Sequence, residues 1–130
     1  GNTVAALDEL YIWLSNPVAI EYIRNSLKRV RKKNSSMLMA SQNVEDFDRP
    51  GVREMTKPLF SIPPHQFLFN CGTVNKKEFM DLLQLEESEF NIIQAPHKGE
   101  CLYKCGNERY DLLVTAPAYK EKLFGKAGGK

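Results

Sequence analysis

Three groups of side chains in this 130-residue chain have the types and order that phosphoryl chemistry uses. Asp8 and Glu9 stand side by side after the apolar run Thr3-Val-Ala-Ala-Leu7, Arg31 and Lys32 lie in a basic block, and Gln42 follows Met37-Leu-Met-Ala-Ser41. Adjacent carboxylates beyond the carboxyl end of a strand sit where α/β sheets bind ligands. Such a pair can hold the shell of a divalent cation and orient an attacking water. A glutamine at a strand's end can hydrogen-bond both a γ-phosphate and a water. An arginine can neutralise charge on a transferring phosphoryl group, often from a neighbouring subunit. Each group alone has a plainer reading: two acids opening a helix, a solvated basic helix end, a loop amide. Their order within the first 43 residues is more specific than any one of them.

The elements that must position these residues can be read from local pattern. Thr3–Leu7 reads as a buried strand and Glu9 to Asn16 as a short helix. Asn16-Pro17 is an N-cap and first helical residue, opening a helix whose Val18, Ile20, Ile23, Leu27 and Val30 fall at helical spacing and which ends near Asn34. Met37–Ser41 is the second strand candidate. A polar turn, a helix from Val52 to Phe60, the stop at Pro63-Pro64 and a strand over Gln66–Asn70 follow. Asn75 to Glu78 is a capping box for a helix through Leu83, and Glu86–Gln94 reads as another helix. Glu100–Lys104 and Arg109–Thr115, joined at Gly106-Asn107, form a hairpin, and a short helix starts at Ala118. Strands alternating with helices indicate an α/β fold with a mainly parallel sheet and a C-terminal β-hairpin. Residues 1–130 are expected to form a single domain, with 125–130 a disordered tail.

Composition is that of a folded globular domain, and no stretch is long and apolar enough to span a bilayer. An odd count of three cysteines and an acidic, uncharged-leader N-terminus predict a cytoplasmic chain. The formal charge of +2 conceals a division. Six of the ten residues from Arg24 to Lys33 are basic and none is acidic, leaving 12 basic and 16 acidic groups elsewhere, a net of −4. One basic block on a mildly acidic chain raises the question of an anionic partner.

Strand–Asp8-Glu9, a helix, Arg31-Lys32, and a strand ending in Ser41-Gln42 resemble the second half of the nucleotide site in the HerA/FtsK superfamily of P-loop NTPases. Most similar are the conjugal-transfer, or type IV secretion, ATPases. The later Gln66–Asn70 strand, the acidic helix start Leu85-Glu86-Glu87-Ser88-Glu89 and the hairpin ending Val114-Thr-Ala-Pro117 extend the resemblance over essentially the whole chain. It implies the C-terminal part of a RecA-like core, with ATP and Mg²⁺ as cofactors. It implies Asp8 as the Walker B ligand of Mg²⁺ through water and Glu9 as the residue activating water. Gln42 would be the γ-phosphate sensor, Arg31 the arginine finger toward a neighbouring subunit, and Lys32 the alternative to Arg31 at the nucleotide. Implied partners are other copies in a hexamer, membrane-associated secretion proteins and DNA, at the inner face of the cell membrane.

No G-x-x-x-x-G-K-[ST] occurs in the sequence; the C-terminal Gly-Lys-Ala-Gly-Gly-Lys lacks its spacing and its Ser/Thr. The chain is therefore expected to be the C-terminal piece of a larger ATPase, with the phosphate-cradling loop upstream, and to be inactive alone. In the family's sheet order the strand bearing that loop lies between the strand ending at Gln42 and that of Gln66–Asn70. Without it the fragment is expected to rearrange its sheet or self-associate. Two other classes compete: a winged helix-turn-helix DNA-binding module over Lys76–Thr115, and an adaptor without nucleotide chemistry. Against the first, the second helix of the pair carries Glu86, Glu87 and Glu89 and no cation, which phosphates would repel. Cys101 and Cys105 are too far apart along one strand for a metal pair, and His65 and His97 lack a second ligand nearby. Tyr11, Trp13, Phe67 and Phe69 read as core.

Overall fold

The computed structural model describes residues 2–42, 44, 47 and 50–125, with the backbone alone at Arg31. The tail expected over 125–130 lies outside the described residues beyond Gly125. The elements follow in the order β1 (Thr3–Leu7), a 3-10 turn (Leu10–Ser15), α1 (Pro17–Val30), a 3-10 turn (Arg31–Lys33), β2 (Ser35–Met39), α2 (Arg53–Ser61), β3 (His65–Leu68), α3 (Lys76–Leu83), α4 (Glu87–Gln94), β4 (Glu100–Cys105), β5 (Glu108–Leu113) and α5 (Ala118–Phe124). Two compact units result, one from Gly1–Pro64 with Thr73–Glu86, the other from His65–Gly72 with Glu87–Lys130.

In the first unit β1 and β2 pair in parallel, Thr3 opposite Ser35 through Leu7 opposite Met39. α1 is the crossover between them. The Asn16 side chain accepts from the Val18 N–H at 2.9 Å, satisfying one of the donors a helix start leaves open. Asn34, in left-handed conformation at φ 50, ends the basic turn and starts β2. The apolar stripe of α1, Ile20, Ile23 and Leu27, packs in one core with Leu10, Leu14, Phe47, Leu59 and Leu82; Leu7, Met37 and Met39 of the sheet border it. The Phe47 ring meets Phe60 edge-on at 4.8 Å. The buried Thr56 hydroxyl donates to the Phe47 carbonyl at 2.6 Å.

The second unit is an antiparallel sheet in the order β3-β4-β5. Gly106, at φ 60, holds the first position of the two-residue turn between Cys105 and Glu108, the position a type II′ hairpin reserves for glycine. At the other end of the hairpin Gly99, at φ 86, lies so close to the Val114 carbonyl that a Cβ there would collide with it. α4 covers one sheet face, with Phe90, Ile93 and Leu102 buried and the Arg109 guanidinium 3.1 Å from the Glu89 carboxylate. Lys104 is buried on that face; desolvation pushes its ammonium below the usual lysine range, repulsion from Arg109 adds to this and Glu89 opposes it. Burial, then the Asp111 charge, pushes the Cys101 thiol up.

The α/β class and the C-terminal hairpin agree with the sequence reading. Strand β2 starts two residues earlier than apolarity suggested, at Ser35, and β3 one residue earlier, at His65. β3 joins the hairpin in the antiparallel sheet, which is the larger of the two. Neither β1 nor β2 has a second strand neighbour among the described residues. The four aromatics read as core, Tyr11, Trp13, Phe67 and Phe69, are exposed. Among the described residues no layer buries them, which side-chain apolarity alone cannot reveal.

Candidate functional site

The carboxyl ends of β1 and β2 meet in one place. The Ala40 N–H donates to the Leu7 carbonyl at 2.9 Å, and the Ala40 carbonyl accepts from the Leu10 N–H at 2.9 Å. In an unbroken parallel ladder a residue bonds to positions two apart on its neighbour. Here Ala40 bridges Leu7 and Leu10, so Asp8 and Glu9 together occupy the place of one residue. The additional residue is absorbed at Glu9, whose backbone turns into the left-handed region at φ 51, ψ 49. That is uncommon for a residue other than Gly, Asn or Asp, and bulges of this kind re-aim side chains next to functional sites.

The turn is held by its own side chains. Asp8 Oδ1 accepts from the Glu9 N–H at 2.9 Å, and Glu9 Oε2 accepts from the Tyr11 hydroxyl at 2.8 Å. Ser41 and Gln42, both exposed, leave β2 directly after Ala40. The structure therefore brings Asp8, Glu9 and the start of Ser41-Gln42 to one end of the parallel pair. No pattern in the sequence pointed to the bulge or to Tyr11 as the partner of Glu9; Tyr11 at two residues' distance from an acid is the only cue available.

Arg31 and Lys32 are elsewhere. Their turn precedes Ser35, so their backbone lies at the amino end of β2. Five strand steps from Ser35 to Ala40 at about 3.3 Å each place roughly 16 Å between the two ends. Within one chain the basic pair and the carboxylate pair are thus at opposite ends of the sheet.

A cavity of about 660 Å³ opens between the β1/β2 sheet and α1, lined by Ala5, Leu7, Trp13, Val18, Tyr22 and Met37 among others. Among the described residues its lining carries no carboxylate and no cation. Among the described residues no three His, Cys, Asp or Glu side chains cluster as a metal cage. A single exposed carboxylate at Asp8 still fits magnesium, which keeps most of its waters and takes one or two carboxylates plus substrate phosphates. α3 and α4, the pair considered as a helix-turn-helix, fall into different compact units, and α4 carries Glu87 and Glu89 in its first turn.

No family model matches the chain. It is 30% identical over 127 residues to the conjugal transfer protein TrbE of Rhizobium radiobacter, covering 95% of this chain and 15% of that protein. It is 29% identical over 101 residues to the type IV secretion system protein CagE of Helicobacter pylori, covering 78% of this chain and 10% of that one. The structure of VirB4 from Thermoanaerobacter pseudethanolicus superposes with a TM-score of 0.84 at 30% identity, over 93% of this chain and 33% of that chain. The chain thus spans 15% or less of the length of these two curated relatives and a third of the solved one.

Proposed function

This chain is a homologue of the conjugal-transfer and type IV secretion ATPases across nearly its whole length, and from that premise we propose that it is the C-terminal part of an ATP-hydrolysing motor for conjugative DNA transfer or type IV secretion. The observation that carries the proposal is the Ala40 bridge, which joins the Asp8-Glu9 turn to Ser41-Gln42 by main-chain bonds. In this reading Asp8 holds the Mg²⁺ shell through water. Glu9, its carboxylate oriented by Tyr11, takes a proton from the attacking water. Gln42 hydrogen-bonds the γ-phosphate. Bound Mg²⁺ would neutralise charge on the phosphates during transfer. The position of Arg31 at the far end of β2 supports a finger acting on a neighbouring subunit's nucleotide, with Lys32 as the alternative cation at the same edge. The working assembly is a homo-oligomer, a hexamer, at the inner face of the cell membrane with membrane-associated secretion proteins and DNA as partners.

The test uses the longer protein. Arg31→Ala should abolish ATP turnover while nucleotide binding stays intact. Mixing it with Glu9→Gln subunits should restore part of the activity, because each subunit supplies what the other lacks. Normal turnover in Arg31→Ala removes it from the finger role, and absence of rescue removes the action in trans. The 130-residue chain alone should hydrolyse no ATP; turnover that disappears in Glu9→Gln would contradict this.

A further inference from the structure

Helix α5 (Ala118–Phe124) has no buried residue, in contrast to every other α-helix of the described residues. Its large apolar side chains are turned out: Tyr119, Leu123 and Phe124 are 63%, 72% and 64% exposed. Tyr119 and Leu123 stand four residues apart and so lie one above the other on a single helix face. Lys120 and Lys122 flank that stripe at one residue's rotation on either side, while Glu121 lies on the opposite face. From residue 118 to residue 130 the sequence carries Lys120, Lys122, Lys126 and Lys130 against Glu121 alone.

This combination narrows what can cover α5. An apolar protein face would satisfy Tyr119 and Leu123 but gives no reason for a lysine on each side of the stripe and the one acid of the helix opposite it. A bilayer surface of anionic lipid satisfies both: the aromatic and aliphatic side chains enter the headgroup boundary and the lysines meet lipid phosphates. No helix among the described residues is long and apolar enough to cross a membrane, so the contact is one of lying on the surface. We propose that α5 docks this chain on anionic lipid through Tyr119 and Leu123, with Lys120 and Lys122 supplying the charge preference. The inference goes beyond the nucleotide reading and does not depend on it.

Flotation of the 130-residue chain with phosphatidylcholine vesicles, with and without phosphatidylglycerol, tests it. The chain should float with the anionic vesicles alone, and added salt should release it. Lys120→Gln and Lys122→Gln should each weaken binding about fivefold. Tyr119→Ser with Leu123→Ser should weaken it by at least about tenfold. Because α5 buries nothing, these variants should retain the circular dichroism of the parent. Absence of flotation, equal flotation with both lipids, or unchanged binding by the variants overturns the proposal; the last would assign the binding to the basic residues from Arg24 to Lys33. If lipid recruits nothing but Tyr119→Ser converts a sedimenting dimer to monomer, α5 is a contact between copies and the lipid proposal falls.

Discussion

The two sheets of this molecule are finished to different degrees. In the antiparallel sheet the middle strand β4 has a partner on each side and a helix on one face, and Cys101 and Leu102 are buried. In the parallel pair each strand has one partner among the described residues, and on the face turned away from α1 Val4 is 69% and Leu38 63% exposed. Parallel sheets are ordinarily covered on both faces. The carboxylates proposed for chemistry stand on the unfinished sheet. The antiparallel sheet contains the hairpin and carries none of the residues proposed for catalysis. Structural self-sufficiency and chemistry are thus divided between the units.

Four substitutions break or sharpen that contrast. Ile93, fully buried against β4, should cost about 3–4 kcal/mol when changed to Ala, measured as a shift in the urea midpoint at constant slope. A loss below about 1 kcal/mol would mean the second unit is loosely packed and the contrast false. At the bulge, Glu9→Gly should be more stable than Glu9→Ala by about 1 kcal/mol, since glycine alone adopts φ 51 without strain. Equal stability would mean that the left-handed turn is not held.

Lys104 gives a pH signature confined to the second unit. Its folded value is lowered, so the unfolded chain binds more protons between that value and the ordinary lysine range near about 10.4. Its contribution to stability therefore rises as pH rises through that window and is least favourable below it. The stability difference between wild type and Lys104→Met should shift toward wild type with increasing pH, followed by denaturation at several alkaline pH values. A difference independent of pH would place the ammonium in water. The smallest effect belongs to the open face: Leu38→Thr should change stability by less than about 0.5 kcal/mol and reduce aggregation. A loss of several times that would show the face to be covered in solution.

Features decided by neighbouring residues were legible in the sequence. The Asn16 cap before Pro17, the Asn75 side chain accepting from the Glu78 N–H at 3.3 Å, and the Gly106-Asn107 turn all stand where local chemistry placed them. Features decided by distant partners were not. The start of β2 at Ser35 follows from pairing with Thr3, which overrides the polarity of Ser35 and Ser36. Pairing of Phe67 with Tyr103 and of Tyr103 with Tyr110 places these rings on the uncovered face, stacked at 4.6 and 5.9 Å, where a composition rule expected a core for Phe67. For the candidate site the acids and the glutamine were visible as residue types. Their union at Ala40 and the turn at Glu9 were not, because glutamate carries no preference for left-handed backbone.

The Ala40 bridge has a consequence for how this segment can vary. Both of its bonds are made by main-chain atoms, so any residue except proline that holds extended backbone at position 40 preserves them. What the bridge fixes is a count: two residues, no more and no fewer, between Leu7 and Leu10. Substitution there is permitted and insertion or deletion is not, so the segment measures length where the surrounding strands measure apolarity.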